Sequence, residues 1–327
     1  MTGEYDPFVP GPFPVCTRTI EARDALRDRV FPCEIWTPGV EQPANHPLIL
    51  YSHPSGAHRR AATFLCTHLC SHGYVVAALD HSESVAAELK YRTDEAPEQK
   101  AVRVAAVLAS RVPDLRFLLH QAPASDRIGL VGHSLGGWTV LATPDVEPRI
   151  RAIVALAPGG ASNPRPGIIR AKLNFAWGRD VPTLFLVAEN DVCLPLEGMY
   201  EVFERTPATK QLVILRRADH MHFMDNVEEM HETVRNMTFP EYLAWLPREM
   251  RPIAELCSGE QAHLFVRGLT LCHMDAVLKG QEEAQQFLAG DIVTELATRG
   301  VDVARAVKPA ASPVVATFRD GLNRAHR

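Results

Sequence analysis

Apolar and polar stretches alternate along the chain in a way that predicts strands and helices in turn. Short, continuous apolar runs are typical of strands buried on both faces of a parallel sheet. Such runs occur at 47–52, 74–79, 128–132, 150–157, 183–188 and 211–215. Helical stretches lie between them at 61–71, 98–120, 138–142 and 197–205, and Pro113 is expected to kink or divide the second. This order predicts an α/β fold, a mostly parallel sheet with helices on both faces.

The N-terminal region, the stretch 159–179 and the region after 224 lie outside this alternating pattern and are predicted separately. Strands at 15–21 and 29–36 are expected to form a hairpin before the first buried strand. The stretch 159–179 has no clean periodicity and is expected to cross the sheet as a small cap. The part from 224 to 306 is rich in helix formers, and the tail 307–327 is expected to be poorly ordered. Helices are predicted there at 226–234, 240–245, 261–279 and 282–288. Without an evident linker, 1–327 is predicted to be a single domain.

Composition narrows the class of protein. The chain has 327 residues, of which 46% are hydrophobic and 22% charged, as is usual for globular proteins. A net charge of −5 gives no reason to expect a nucleic acid partner, and no apolar run is long enough for integral membrane association. Seven cysteines without regular spacing, and no secretory segment at the start, favour a cytoplasmic location. Composition leaves a homodimer open.

The most informative motif is Gly132-His133-Ser134-Leu135-Gly136, between a predicted strand and a predicted helix. A serine at such a sharp turn needs small residues two before and two after it, and the turn raises its hydroxyl above the sheet edge. The free N–H groups at the start of the next helix can stabilise an oxyanion. We therefore interpret Ser134 as a nucleophile.

A serine nucleophile needs a base, which in turn needs an orienting acid. Such groups gather at the carboxyl ends of parallel strands. The strand 183–188 runs into Glu189-Asn190-Asp191, and the strand 211–215 is followed by Asp219-His220-Met221-His222. The chain order Ser134, Asp191, His220 is the order found in α/β-hydrolases, and it differs from the chymotrypsin and subtilisin orders.

Several alternatives stay open at this stage. His222 competes with His220 for the role of base, although His220 is favoured because it lies nearer the end of the strand. The pair could instead form a His-x-His metal site, but no third ligand lies nearby in sequence, so we predict no metal. Asp219 and Glu189 are rival acids, but Asp219 would have difficulty reaching the ring of the adjacent His220.

An oxyanion hole requires two backbone N–H donors aimed at one point. The N–H of Leu135 follows the nucleophile, and the second is expected from the loop after the strand 47–52. Pro54 has no N–H, so Ser55 is preferred and Gly56 is second. His53 and His58 flank this loop; they could contact substrate but are treated as surface residues by default.

Taken together, these stretches resemble the α/β-hydrolase superfamily, and more narrowly its dienelactone-hydrolase-like branch that includes the platelet-activating-factor acetylhydrolases. The similarity covers roughly 11–305, including the 48–57 loop, the Ser134 elbow and the 218–223 histidine loop. There the branch has a histidine followed three residues on by an aromatic, which favours His220 with Phe223. Two departures are Pro54, where the branch usually has glycine, and a serine nucleophile in place of the cysteine of true dienelactone hydrolases.

The resemblance implies hydrolysis of a small carboxylic ester through an acyl-enzyme on Ser134, with no metal or organic cofactor. Short to medium acyl groups or polyester-like substrates are expected. An amidase, lactonase or carbon–carbon hydrolase would use the same residues, because fold does not decide the bond that is cleaved. A catalytically inactive binding protein with this fold is the remote alternative.

Overall fold

A nine-stranded sheet forms the centre of the described part of the chain. The computed structural model describes residues 5–39, 46–92 and 95–306. The strands are β1 (Val15–Asp24), β2 (Arg29–Pro38), β3 (Leu48–Ser52), β4 (Val75–Leu79), β5 (Ile128–His133), β6 (Ile150–Leu156), β7 (Thr183–Ala188), β8 (Lys210–Leu215) and β9 (Val303–Arg305). Their spatial order is β1-β2-β4-β3-β5-β6-β7-β8-β9.

The sheet is parallel from β4 through β3, β5, β6 and β7 to β8. Antiparallel strands close both of its sides: β2 pairs with β4, β1 pairs with β2, and β9 pairs with β8. The predicted α/β class with a mostly parallel sheet is therefore confirmed. The antiparallel strand β9 is absent from the prediction, because a three-residue segment carries too little pattern to be recognised.

Helices cover the two faces of the sheet. They are α1 (Thr63–Ser71), α2 (Ser82–Val85), α3 (Pro97–Gln121), α4 (Leu135–Ala142), α5 (Leu196–Arg205), α6 (Val227–Arg235), α7 (Leu246–Glu249), α8 (Gly259–Met274), α9 (Glu282–Ala289) and α10 (Ile292–Ala297). Short 3₁₀ turns occur at Ala87–Leu89, Thr143–Asp145, His220–Phe223, Glu241–Leu243 and Ile253–Glu255, and α8 continues into a π turn at Asp275–Lys279.

The alternation of side chains along each strand divides the core into two layers. In β3, Ile49 and Tyr51 contribute to the layer that contains α1, α8, α9 and α10. Leu48 and Leu50 contribute to the opposite layer, which contains α3, α4 and α5. Because both layers are apolar, every residue of β3 is buried. This explains why the strand is a continuous apolar run in the sequence.

Three predictions about the helices need comment. Of the two outcomes expected at Pro113, a division is wrong, because α3 runs through it as one 25-residue helix, and a kink stays a prediction. The helix predicted at 240–245 is instead a 3₁₀ turn followed by α7. The predicted tail, 307–327, lies outside the described residues. Within the residues that are described, no helix has both the length and the hydropathy needed to cross a membrane.

Candidate active site

The Ser134 elbow joins β5 to α4 in a strained backbone conformation. Ser134 has φ 58° and ψ −117°, a combination that a residue with a side chain rarely adopts. Its N–H donates to the Leu156 carbonyl at 2.9 Å, and its own carbonyl accepts from the N–H groups of Trp138 and Gly159 at 3.0 and 2.9 Å. These bonds to neighbouring elements hold the strained residue in place at the carboxyl end of β5.

Close backbone approach explains the two glycines of the motif. A Cβ at Gly132 would lie 2.2 Å from the carbonyl oxygen of Gly136. A Cβ at Gly136 would lie 2.0 Å from the carbonyl oxygen of Ser52, at the end of β3. Both distances are far below a van der Waals contact, so each position excludes any side chain, as the elbow motif predicts.

Asp191 and His220 meet at the carboxyl ends of β7 and β8. The Nδ1 of His220 lies 2.6 Å from Oδ2 of Asp191, while Oδ1 of Asp191 accepts from the N–H of Leu194 at 2.8 Å. Burial alone would lower the pKa of His220, but the charge and hydrogen bond of Asp191 raise it above its ordinary value. Nδ1 is thereby the protonated nitrogen, so Nε2 is available as a base. Across the described residues, no protein group forms a hydrogen bond to Nε2.

Both ring nitrogens of His222 already have hydrogen-bond partners. Its Nδ1 lies 2.8 Å from Oδ1 of Asp219, and its Nε2 donates to the carbonyl of Cys257 at 3.1 Å. Burial opposes protonation, but the Asp219 carboxylate and the Cys257 side chain raise the pKa of His222 to about 10. The backbone N–H of Asp219 also donates to Nδ1 at 3.0 Å. With both ring nitrogens engaged in hydrogen bonds, His222 has no free lone pair for the Ser134 proton. Asp219 thus pairs with His222 and not with His220, as its predicted difficulty in reaching the adjacent ring suggests.

The loop after β3 is held by His53. The Nδ1–H of His53 donates to the carbonyl of Pro54 at 2.7 Å, and its Nε2 accepts from the backbone N–H of His81 at 3.0 Å. Burial holds the pKa of His53 well below its ordinary value, so the ring is neutral. The expectation of a surface position is therefore wrong for His53, which is fully buried, although it is right for His58.

A cavity of about 840 Å³ connects these elements. Ser134, His220, Leu135, Ser55 and Gly56 all line it. The cap stretch and the segment after α6 form much of the remaining wall, and Lys100, Arg103 and Val104 of α3 are also part of it. The cap contributes Gly167, Ile168, Ile169 and Ala171, and the later segment contributes Met237, Thr238, Phe239, Pro240, Tyr242 and Leu243. Among the described residues no hydrogen bond joins the Ser134 hydroxyl to His220, and such contacts often form only when substrate binds.

Comparison with known proteins places this arrangement in a known structural class. The structure superposes on a ferulic acid esterase from Streptomyces cinnamoneus with a TM-score of 0.61, covering 84% of this chain and 93% of the esterase at 21% identity. The two proteins therefore have the same fold over most of their length. The chain has the α/β-hydrolase fold.

Sequence comparison finds partial similarity to named enzymes. The family model for platelet-activating factor acetylhydrolase, isoform II, matches residues 25–109 of this chain. A cutinase, est1, of Thermobifida alba is 26% identical over 60% of the chain, and a platelet-activating factor acetylhydrolase of Cavia porcellus is 28% identical over 58%. The matches span 59% and 51% of the length of those two relatives.

The structure contains a second serine–histidine–aspartate arrangement, which the sequence pattern does not predict. Ser52 Oγ lies 2.8 Å from Nε2 of His81, whose Nδ1 lies 3.2 Å from Oδ2 of Asp114. All three side chains are fully buried, so no substrate can reach this serine. The group instead supports the end of β3 directly beneath the loop that carries Ser55. Only three-dimensional contacts reveal it, since the residues lie far apart in sequence.

The Asp191–His220 pair belongs to the one group of potential metal ligands found among the described residues. Ligand atoms of Asp191, Cys193 and His220 lie within 4.8 Å of one another. His222 is not part of this group, so the His-x-His pairing considered from the sequence does not form there. Asp191 and His220 are already hydrogen-bonded to each other, which is the arrangement that orients a base.

Proposed function

We propose that the protein is a serine hydrolase that cleaves carboxylic esters through an acyl-enzyme. The observation that supports this most directly is the hydrogen bond between Asp191 and His220, in a cavity that is also lined by the strained Ser134. The names of the relatives, cutinases, acetylhydrolases and a ferulic acid esterase, support an ester as the bond that is cleaved.

In the proposed mechanism, His220 acts as the general base. Its free Nε2 takes the hydroxyl proton of Ser134 as Oγ attacks the ester carbonyl. Asp191 holds the ring through Nδ1 and stabilises the imidazolium that forms. His220 then donates the proton to the leaving alcohol, and water releases the acyl group by the reverse sequence.

The tetrahedral intermediate requires stabilisation of its oxyanion. We assign this role to the backbone N–H groups of Leu135 and Ser55. Both residues line the cavity, and neither N–H has a hydrogen-bond partner among the described residues. Pro54 takes no part as a donor, but its carbonyl belongs to the same peptide group as the N–H of Ser55.

Substrates with short to medium acyl chains, including polyester-like ones, are proposed on two grounds. The cavity is large enough for a small ester and its wall is mostly apolar, as in many small-molecule sites. Polyester-like substrates are suggested by the cutinase names among the relatives.

The decisive test replaces Ser134 with alanine and measures hydrolysis of p-nitrophenyl acetate and butyrate. We expect kcat to fall by at least about 10³-fold, since removal of a triad member abolishes most of the acceleration. His220→Gln should have a similar effect, while His222→Gln serves as the matched control and should retain most of the rate. A fluorophosphonate probe should label Ser134 in the wild-type protein.

Three results would contradict the proposal. Undiminished ester hydrolysis by Ser134→Ala would exclude the acyl-enzyme. Equal or faster turnover of an amide or lactone with the same acyl group would assign the triad to a different bond. A folded wild-type protein whose Ser134 is not labelled would indicate an inactive binding protein.

A further inference from the structure

The charges that line the cavity are all of one sign. Among the described lining residues the only permanently charged side chains are Lys100 and Arg103, both near the start of α3. None of the described lining residues is a carboxylate, and the rest of that described wall is apolar or neutral.

Arg103 is neutralised by a neighbour. Its Nε lies 2.8 Å from one oxygen of Glu95, and its Nη2 lies 2.9 Å from the other. This bidentate geometry uses the flat edge of the guanidinium and matches it with one full negative charge. Arg103 therefore adds little net charge to the cavity.

Lys100 has no such neighbour. Its Nζ lies 3.4 Å from the ring centroid of Tyr242, a cation–π contact. Among the described residues no carboxylate oxygen comes within ion-pair distance of the Lys100 ammonium. Burial tends to raise the pKa of the Tyr242 phenol, but Lys100 and Tyr91 lower it overall. The ammonium thus lies at the cavity wall against the Tyr242 ring, and within the described part of the chain it forms no ion pair.

The wall that holds Lys100 is firmly built. Gly167 packs so tightly against the Tyr242–Leu243 segment that a Cβ there would lie 2.7 Å from the Leu243 side chain. The indole N–H of Trp245 donates to the carbonyl of Pro166 at 3.1 Å. These contacts join the cap to the segment after α6, so the ring beneath Lys100 is fixed before a ligand arrives.

We propose that Lys100 binds an anionic group on the substrate, so that the enzyme prefers esters carrying a carboxylate or a phosphonate-like group remote from the scissile bond. This inference rests on the proposed ester hydrolysis. The ammonium would donate a charge-assisted hydrogen bond to the anion, and the apolar wall would hold the connecting chain. One such bond in a partly desolvated site corresponds to a preference of about tenfold.

The test compares three p-nitrophenyl esters with the same chain length. The acyl groups are hexanoate, adipate with its free terminal carboxylate, and hexanoate with a terminal phosphonate. We expect the wild-type kcat/KM to be about tenfold higher for at least one anionic ester than for hexanoate. This ratio should approach one in Lys100→Gln and be restored in Lys100→Arg. The exposed Lys90 does not line the cavity, so Lys90→Gln is the control and should keep the wild-type ratio.

Ionic strength provides a second readout. The wild-type preference should decrease as salt is raised from about 0.01 M to about 1 M, because screening weakens the attraction. In Lys100→Gln the ratio should not depend on salt. An equal ratio in the wild type and Lys100→Gln, or no preference for either anion, would overturn the inference.

A binding measurement separates this inference from the proposed function. Calorimetry with Ser134→Ala should show tighter binding of monomethyl adipate than of its neutral dimethyl ester, and Lys100→Gln in the same background should abolish the difference. If p-nitrophenyl hexanoate is not hydrolysed, ester hydrolysis fails while this binding difference still decides the role of Lys100. If hexanoate is hydrolysed but the anion gives no advantage, only the role of Lys100 fails.

Discussion

Replacing His53 with alanine tests whether a buried histidine positions the oxyanion loop. The ring donates to the carbonyl of Pro54 at 2.7 Å and accepts from the His81 N–H at 3.0 Å. The Pro54 carbonyl and the Ser55 N–H belong to one planar peptide group, so fixing the oxygen also fixes the direction of the N–H. His53→Ala removes this restraint without touching Ser134 or His220.

The expected magnitude follows from the other contacts of this peptide group. Losing one oxyanion donor completely lowers kcat by about 10²–10³-fold. The Pro54 carbonyl keeps a second bond, from the N–H of Ala57 at 3.2 Å, and Leu135 is unaffected. We therefore expect kcat to fall by about 10–100-fold, with a smaller effect on KM, because the donor acts mainly on the transition state. The buried N–H of His81 loses its partner, which costs about 1–3 kcal/mol of stability.

The assay measures kcat and KM for p-nitrophenyl butyrate together with the free energy of unfolding in urea. His68→Ala is the matched control, because His68 is also buried and its Nε2 bonds to a backbone carbonyl, that of Pro7, at 2.9 Å. It should lose comparable stability but keep its kcat. A kcat within about twofold of wild type for His53→Ala would refute the reasoning, as would an equal loss in both variants.

Two further predictions concern the pairs of acid and histidine. Asp191→Asn should lower kcat by about 10⁴-fold while the protein stays folded, because the amide favours the wrong tautomer of the base. Steady-state ester assays measure the loss of kcat, and circular dichroism checks that the variant is folded. A loss of kcat below about tenfold would contradict the prediction. The pKa of His222 is about 10, above the ordinary value of 6.5, so protonation of His222 stabilises the folded state. This stabilisation is fully present below pH 6.5 and is lost as the pH rises through about 10. The difference in unfolding free energy between wild type and His222→Gln should therefore shrink between those pH values, and a difference that stays constant or grows would contradict this.

The sequence was sufficient for the parts of the structure that depend on local pattern. The strand predicted at 183–188 matches β7 in full, because a continuous apolar run bounded by Pro182 and Glu189 has few other interpretations. The elbow was equally clear, since the backbone approach at Gly132 and Gly136 leaves only glycine acceptable. Placing Asp191 and His220 together needed only the rule that strand ends of a parallel sheet meet at one edge.

Features that depend on packing were beyond the sequence. The amino-acid sequence around His53 does not indicate that its ring is buried. Its hydrogen-bond partners are backbone groups of Pro54 and His81, which every residue type carries and which therefore leave no sequence pattern. The continuity of α3 through Pro113 is set by packing of the helix against the sheet, which outweighs the lost backbone hydrogen bond. The chemistry of Lys100 was equally hidden, since Tyr242 lies far away in the chain.

The choice between the two histidines shows what the structure adds to the motif. Both follow β8, both are buried, and each has its own carboxylate, so neither proximity to an acid nor burial distinguishes them. What differs is the second nitrogen of each ring. In His222 that nitrogen donates to the Cys257 carbonyl, so neither ring nitrogen has a free lone pair. In His220 it has no protein partner among the described residues, and the side chain lines the cavity beside Ser134. A general base requires an unoccupied lone pair within reach of the nucleophile. By that criterion we expect the proton of Ser134 to pass to His220, while Asp219 and His222 stabilise the loop that carries it.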